Sequence, residues 1–232
     1  MVDAWLMAHW TPLALGLMAL TPIGERSNLF PDARRRITIG LGLILLGGFT
    51  ISTHTYVIHL QLAEGAGTTC QSGAVFSCGD VIGDERWNSF LTIPWGIIGM
   101  VAFSVLGFLL LCTWLEPGAA FVERYLGYGR TLTLVGLLPI LWLVIVELFL
   151  VEDAPQICQY CSTAHAANIL AVAGFTQIAN LRGSDRWGVR LDAASGGSKQ
   201  RSHAGTTESK TKRSAQGYVA PVRRTGLTRE EE

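Results

Sequence analysis

The chain has 232 residues, of which 49% are hydrophobic and 16% charged, and its 18 basic and 18 acidic side chains cancel. The apolar residues are gathered into runs close to the ~20 residues that carry a helix across ~30 Å of hydrocarbon, which excludes an ordinary soluble domain. No Walker loop, dinucleotide fingerprint or basic-aromatic patch is present, so nucleotide and nucleic-acid chemistry have no foothold.

Five apolar runs follow one another at 4–23, 38–60, 95–115, 131–151 and 157–181, and predict an all-α polytopic membrane protein. The first, within a unit 1–24, is expected to be a retained span. Asp3 stands where a signal peptide would be basic, and no A-x-A site follows. A basic loop at 25–37 carries Arg26, Arg34, Arg35 and Arg36. After the second run, residues 61–94 form the one long polar loop, with Cys70, Cys78, Trp87 and Pro94 and a short amphipathic helix expected around 80–91. Pro94 and Trp95 suit the start of the third span, since proline fits a first turn and tryptophan an interface.

Residues 116–130 read as a short loop opened by Glu116-Pro117-Gly118, and the turn at 152–156 makes the last two spans antiparallel neighbours. From Ser184 the composition turns polar and loses its large aliphatics, so 184–232 is expected to be a disordered cytoplasmic tail. Of the 18 basic residues only Arg86 falls in a loop opposite the basic ones. The positive-inside rule then places the amino terminus and both cysteine-bearing segments outside the cytoplasm, on the disulfide-permissive side.

Four cysteines carry the chemistry. Cys158-Gln159-Tyr160-Cys161 opens the last apolar helix, which sets two sulfurs one turn apart where the helix N-terminus favours a thiolate. His165 and Asn168 continue the same stripe at four and seven residues beyond Cys161. A polar stripe at membrane depth calls for protein, water or a ligand. A quinone ring beside Cys161, hydrogen-bonded by His165 or Asn168, answers that need; bonding between helices answers it too.

Cys70 and Cys78 can be an electron carrier or a structural staple, and the four thiolates together can be read as a four-cysteine metal site in a non-catalytic protein. Glu147, one turn inside the fourth span, is a candidate proton route or a hydrated interfacial side chain, as are His54 and His59 in the second span. Cys112 lies ~17 residues into the third span, about 25 Å from the cysteine-bearing side, too far to join the exchange.

The order Cys70-x7-Cys78, Val81, Arg86-Trp87, Ile93-Pro94, Gly99 and then Cys158-x2-Cys161-x3-His165-x2-Asn168 resembles the vitamin K epoxide reductase family over roughly 38–181. The bacterial disulfide-oxidase B family does similar chemistry with the C-x-x-C pair first in the chain, the opposite order. The resemblance implies a four-helix transmembrane bundle at 38–183 around a quinone (ubiquinone or menaquinone), capped by the loop 61–94, with the run at 4–23 as an additional helix.

It also implies roles. Cys70 and Cys78 take electrons from a thioredoxin-like partner outside the cytoplasm, and Cys78 attacks the Cys158–Cys161 disulfide. Cys161 faces the quinone and His165 meets its carbonyl. In prokaryotic relatives the outcome is oxidation of secreted-protein thiols rather than epoxide reduction. The chain departs from the family in having Gly83-Asp84-Glu85 where a Ser or Thr usually follows the second loop cysteine. A charged tail stands where many prokaryotic relatives carry a fused thioredoxin-like domain, so the partner is expected to be a separate protein.

Overall fold

The computed structural model describes residues 4–26, 32–65 and 76–188, which all fall in one unit, Met1–Ala194. Helix α1 (Ala4–Leu20) and the short α2 (Pro22–Arg26) precede the long α3 (Ala33–Ala63). The polar loop then supplies α4 (Cys78–Ile82) and a hairpin, β1 (Ser89–Phe90) against β2 (Ile93–Pro94), antiparallel with Ser89 opposite Pro94. Next come α5 (Trp95–Leu115), α6 (Val122–Val135), α7 (Leu137–Ile145) and α8 (Gln159–Arg182). Helix α7 runs on into a π-helical turn, Val146–Leu150.

Four helical rods close a ring in which α3 packs on α5, α5 on α6, α6 on α8 and α8 back on α3, while α1 lies against α3. Leu41, Ile44, Leu106, Leu126, Phe175 and Ile178 fill its centre. Val101, Leu111, Leu138, Leu141 and Phe149 point outward and are exposed. An apolar exterior is costly in water and normal in lipid. Helices α3, α5 and the stretch Val122–Leu150 are long and apolar enough to cross a bilayer, and the chain is a multi-pass membrane protein. Helix α8 has the length with less apolarity, because its buried face carries Thr163, His165 and Asn168 toward other helices rather than lipid. At the cysteine end α5 comes very close to α3: a Cβ on Gly96 would stand 2.7 Å from the Tyr56 backbone nitrogen, and one on Gly99 would overlap Ser52 Oγ.

The structure corrects several expected boundaries. The helix expected around 80–91 is confined to Cys78–Ile82, with the Ser77 hydroxyl accepting from Asp80 N at 3.3 Å at its start. Asp84 Oδ1 then takes Arg86 N at 2.9 Å, a local bond that competes with helix continuation. The hairpin turns through Leu91 and Thr92 at φ 50 and 68°, the positive values that match a two-residue loop to strand twist.

At the opposite end of the bundle Asp32 caps α3 by accepting from Arg34 N at 2.9 Å, so Arg34–Arg36 form a helical turn rather than part of a loop 25–37. The expected loop 116–130 shortens because α6 begins at Val122. Residues 184–188 do not belong to a disordered tail. Trp187 is 3% exposed, its Nε1 donates to Pro117 O at 3.1 Å, and the Arg182 guanidinium lies 5.4 Å from its ring centroid. The rest of the expected tail, 189–232, lies outside the described residues, as does 66–75 with Cys70.

Candidate active site

The C-x-x-C opens α8 with its first cysteine as the cap. Cys158 has extended backbone angles, φ −85° and ψ 112°, and its Sγ accepts the Cys161 N–H at 3.2 Å. That is the position usually held by a serine or aspartate oxygen, so the sulfur does the capping. Cys158 is fully buried. Both thiols are free, whereas Cys78 is disulfide-bonded. A disulfide sulfur cannot be a zinc thiolate, so this arrangement does not form a four-cysteine metal site. Cys78 nevertheless packs into one buried cluster with Cys158, Tyr160, Val81, Ile82 and Val146, and Cys161 lies against that cluster. Helix α4 thus brings the second loop cysteine into the same buried cluster as the first helix cysteine, a neighbourhood that suits thiol–disulfide exchange.

Inward from Cys161 a cavity of about 190 Å³ opens between α3, α5, α7 and α8. Its walls are apolar, with Phe103, Leu106, Ile140 and Leu143 among them, and its polar exceptions are Ser52, Thr55, His165 and Asn168. Ser52 Oγ donates to Gly48 O at 2.8 Å and Thr55 Oγ1 to Ile51 O at 2.9 Å, so those hydroxyl protons are spent on the backbone. Trp95 Nε1 is spent on Trp87 O at 2.8 Å. Asn168 Nδ2 donates to Thr133 O at 3.0 Å, near the C-terminal end of α6. The glue reading of Asn168 is therefore realised in part, although the side chain still lines the cavity. His165 is the exception: it is buried, lines the cavity, and has no hydrogen-bond partner among the described residues. A buried imidazole facing an apolar slot fits a flat ring bearing a carbonyl, which takes the missing bond.

Glu147 sits behind the dithiol. The π-helical turn adds a residue to the α7 rod and turns this carboxylate inward, a use of π-bulges frequent at functional sites. One ligating oxygen of Glu147 and the sulfurs of Cys158 and Cys161 all lie within 4.8 Å of one another. The Cys158 backbone N–H donates to the carboxylate, and Oε1 is buried with no hydrogen-bond partner among the described residues. Two sulfurs and an oxygen supply three of the four positions of a tetrahedral thiophilic cation site. A second, small cavity of about 40 Å³ is lined by Glu147, His59, Thr55, Trp87 and Cys161, so Cys161 borders both spaces. Trp87 Nε1 is likewise buried with no hydrogen-bond partner among the described residues. His54 lines neither cavity; it stacks on Tyr160 instead.

Ser52, Thr55 and Trp95 were not among the residues expected to line the site. Their signal was available, since Ser52, Thr55 and His59 recur at three and four residues along an apolar span, one polar stripe on α3. Cys112, in the last turn of α5, lines neither the large nor the small cavity.

No curated protein and no solved structure matches the chain. Residues 39–175 match the model of the Vitamin K epoxide reductase family, a range that covers most of the ring α3–α5–α6–α8 and holds the polar loop with Cys70 and Cys78, as well as Cys158 and Cys161, while leaving out α1. The chain belongs to the vitamin K epoxide reductase family.

Proposed function

We propose that the protein is a membrane thiol:quinone oxidoreductase that draws electrons from a thioredoxin-like partner and supports disulfide formation outside the cytoplasm. The observation that carries this reading is the position of Cys161. Its sulfur is within 4.8 Å of Cys158 Sγ, and its side chain borders the apolar cavity that holds the unpartnered His165.

Partner thiols reduce the Cys70–Cys78 disulfide. The Cys78 thiolate then attacks Cys158 Sγ, forming a Cys78–Cys158 bond and releasing Cys161 as a thiolate. Cys70 resolves that bond, and the electron pair now rests on Cys158 and Cys161. A bound quinone, ubiquinone or menaquinone, supplies the acceptor for two electrons and two protons. His165 orients it by donating to a carbonyl oxygen, Asn168 lends a second polar edge, and the apolar walls exclude water. Closure of the Cys158–Cys161 bond restores the enzyme. The excess of Lys and Arg in the segments at the far end from Cys78 and Cys158 supports an orientation with the dithiols outside the cytoplasm and the C-terminal segment inside.

Purified protein in nanodiscs is expected to oxidise a reduced thioredoxin-like substrate only when quinone is added. His165→Leu should weaken quinone binding about tenfold, the scale of one buried hydrogen bond, read from quenching of Trp95 fluorescence on quinone titration. Wild-type protein that binds no quinone in the titration and oxidises no thiols with it present contradicts the proposal.

A further inference from the structure

Helix α1 lies outside the family match at 39–175, yet it is docked along its whole length. At one end Arg36 Nη1 donates to Ala19 O at 2.8 Å and Thr21 O at 3.2 Å, capping the carbonyls that end α1. In the middle, Gly16 and Gly40 let the two helices touch: a Cβ on Gly16 would stand 2.6 Å from Gly40 O. At the other end α1 reaches the dithiol. Leu6 is buried in the same cluster as Cys78, Cys158 and Tyr160.

His9 of α1 meets His54 of α3 edge to face, with ring centroids 5.4 Å apart and planes at 61°. The Thr50 hydroxyl already donates to Gly47 O at 3.1 Å, so its oxygen accepts from His9 Nδ1 at 3.2 Å, which assigns the His9 proton to Nδ1 and fixes the ring. His54 in turn lies flat on Tyr160, at 4.8 Å and 15°. Tyr160 is the residue immediately before Cys161 in the C-x-x-C and is 1% exposed.

We infer that α1 is a working part of the catalytic unit: His9 seats His54, and His54, stacked on Tyr160, holds the turn that keeps Cys158 and Cys161 together. His9, His54 and Tyr160 are positioning residues. Aromatic pairs in such offset or edge arrangements contribute beyond the area they bury, and each here adjoins the next. Loosening Tyr160 lets the two sulfurs drift apart, so the intramolecular disulfide loses effective concentration and the pair shifts toward the dithiol. The inference deepens the thiol:quinone reading and rests on it for the use to which the pair is put.

The test is the equilibrium of the Cys158–Cys161 pair with a glutathione redox buffer. It is measured on the full chain in nanodiscs without quinone, by alkylation and peptide mass spectrometry of that pair. His54→Ala is expected to move the equilibrium toward the dithiol about tenfold, ~30 mV for a two-electron couple. His54→Phe, which keeps a flat ring, should restore it to within about twofold of wild type, and His9→Leu should move it in the His54→Ala direction by about threefold. A core-filling role alone would lower thermal stability and leave this equilibrium in place. An unshifted equilibrium in His54→Ala or His9→Leu, or a His54→Phe variant that behaves like His54→Ala, overturns the proposal. Because the buffer contains no quinone, a wild-type protein that shows this equilibrium but no quinone-dependent turnover would sink the functional reading while still testing the clamp.

Discussion

Replacing either Cys158 or Cys161 with Ala is expected to reduce quinone-dependent thiol oxidation to the protein-free background. In the proposed relay each sulfur has a separate task, so neither covers for the other. Cys158 is fully buried in the same cluster as Cys78 and borders neither the large nor the small cavity, whereas Cys161 borders both. Without Cys158 the loop pair has no disulfide to attack, and without Cys161 the electrons have no sulfur at the cavity wall. Initial rates of the two variants, beside Cys112→Ala at the far end of α5 as a control that keeps wild-type rate, check this. Substantial turnover in either variant contradicts the assigned roles.

Glu147→Gln is expected to lower saturated turnover by about 10²-fold, the lower range for loss of a positioned general base. As Cys158 and Cys161 close their bond, two protons must leave the sulfurs along with two electrons. A Glu147 carboxylate oxygen is within 4.8 Å of both sulfurs, and its Oε1 is buried with no hydrogen-bond partner among the described residues, so the carboxylate can take a proton from the dithiol. Glu147 and Cys161 both line the small cavity, and Cys161 lines the larger one as well. Glutamine keeps the size and the amide oxygen that accepts the Cys158 N–H but cannot hold the proton. Stopped-flow turnover at saturating quinone separates the cases: a kcat fall with quinone affinity unchanged supports the proton role, and a wild-type kcat removes it. Glu147→Asp should recover part of the loss.

Much of this arrangement was legible in the residues, for reasons that are local. The C-x-x-C at a helix start was legible as two sulfurs one turn apart, although the capping of the Cys161 N–H by the Cys158 sulfur was not foreseen. The stripe to His165 and Asn168 was legible because helical periodicity survives in any environment. What could not be read were bonds between segments distant in sequence. Arg36 looked like a loop charge, and only the end of α1 shows that it caps carbonyls 15 and 17 residues earlier. Trp187 looked like the start of a tail, and only the Pro117 carbonyl 70 residues earlier makes it core. The short helix expected around 80–91 stops at Ile82 because Asp84 spends its side chain on the backbone next to it. The role of the first helix had no signal at all, since nothing in a run of apolar residues says that His9 will find His54.

Entry of electrons into Cys158 from Cys78 is tested most directly by the product trapped when Cys161 is replaced by Ser. In that variant the Cys158 thiolate can run the exchange in reverse, attacking Cys78 of the loop disulfide and freeing Cys70. No second sulfur on α8 is then left to resolve the new bond. Non-reducing mass spectrometry of the purified Cys161→Ser protein should show a Cys78–Cys158 cross-link with Cys70 as a thiol. A spectrum with only a Cys70–Cys78 bond and an unlinked Cys158 contradicts the relay.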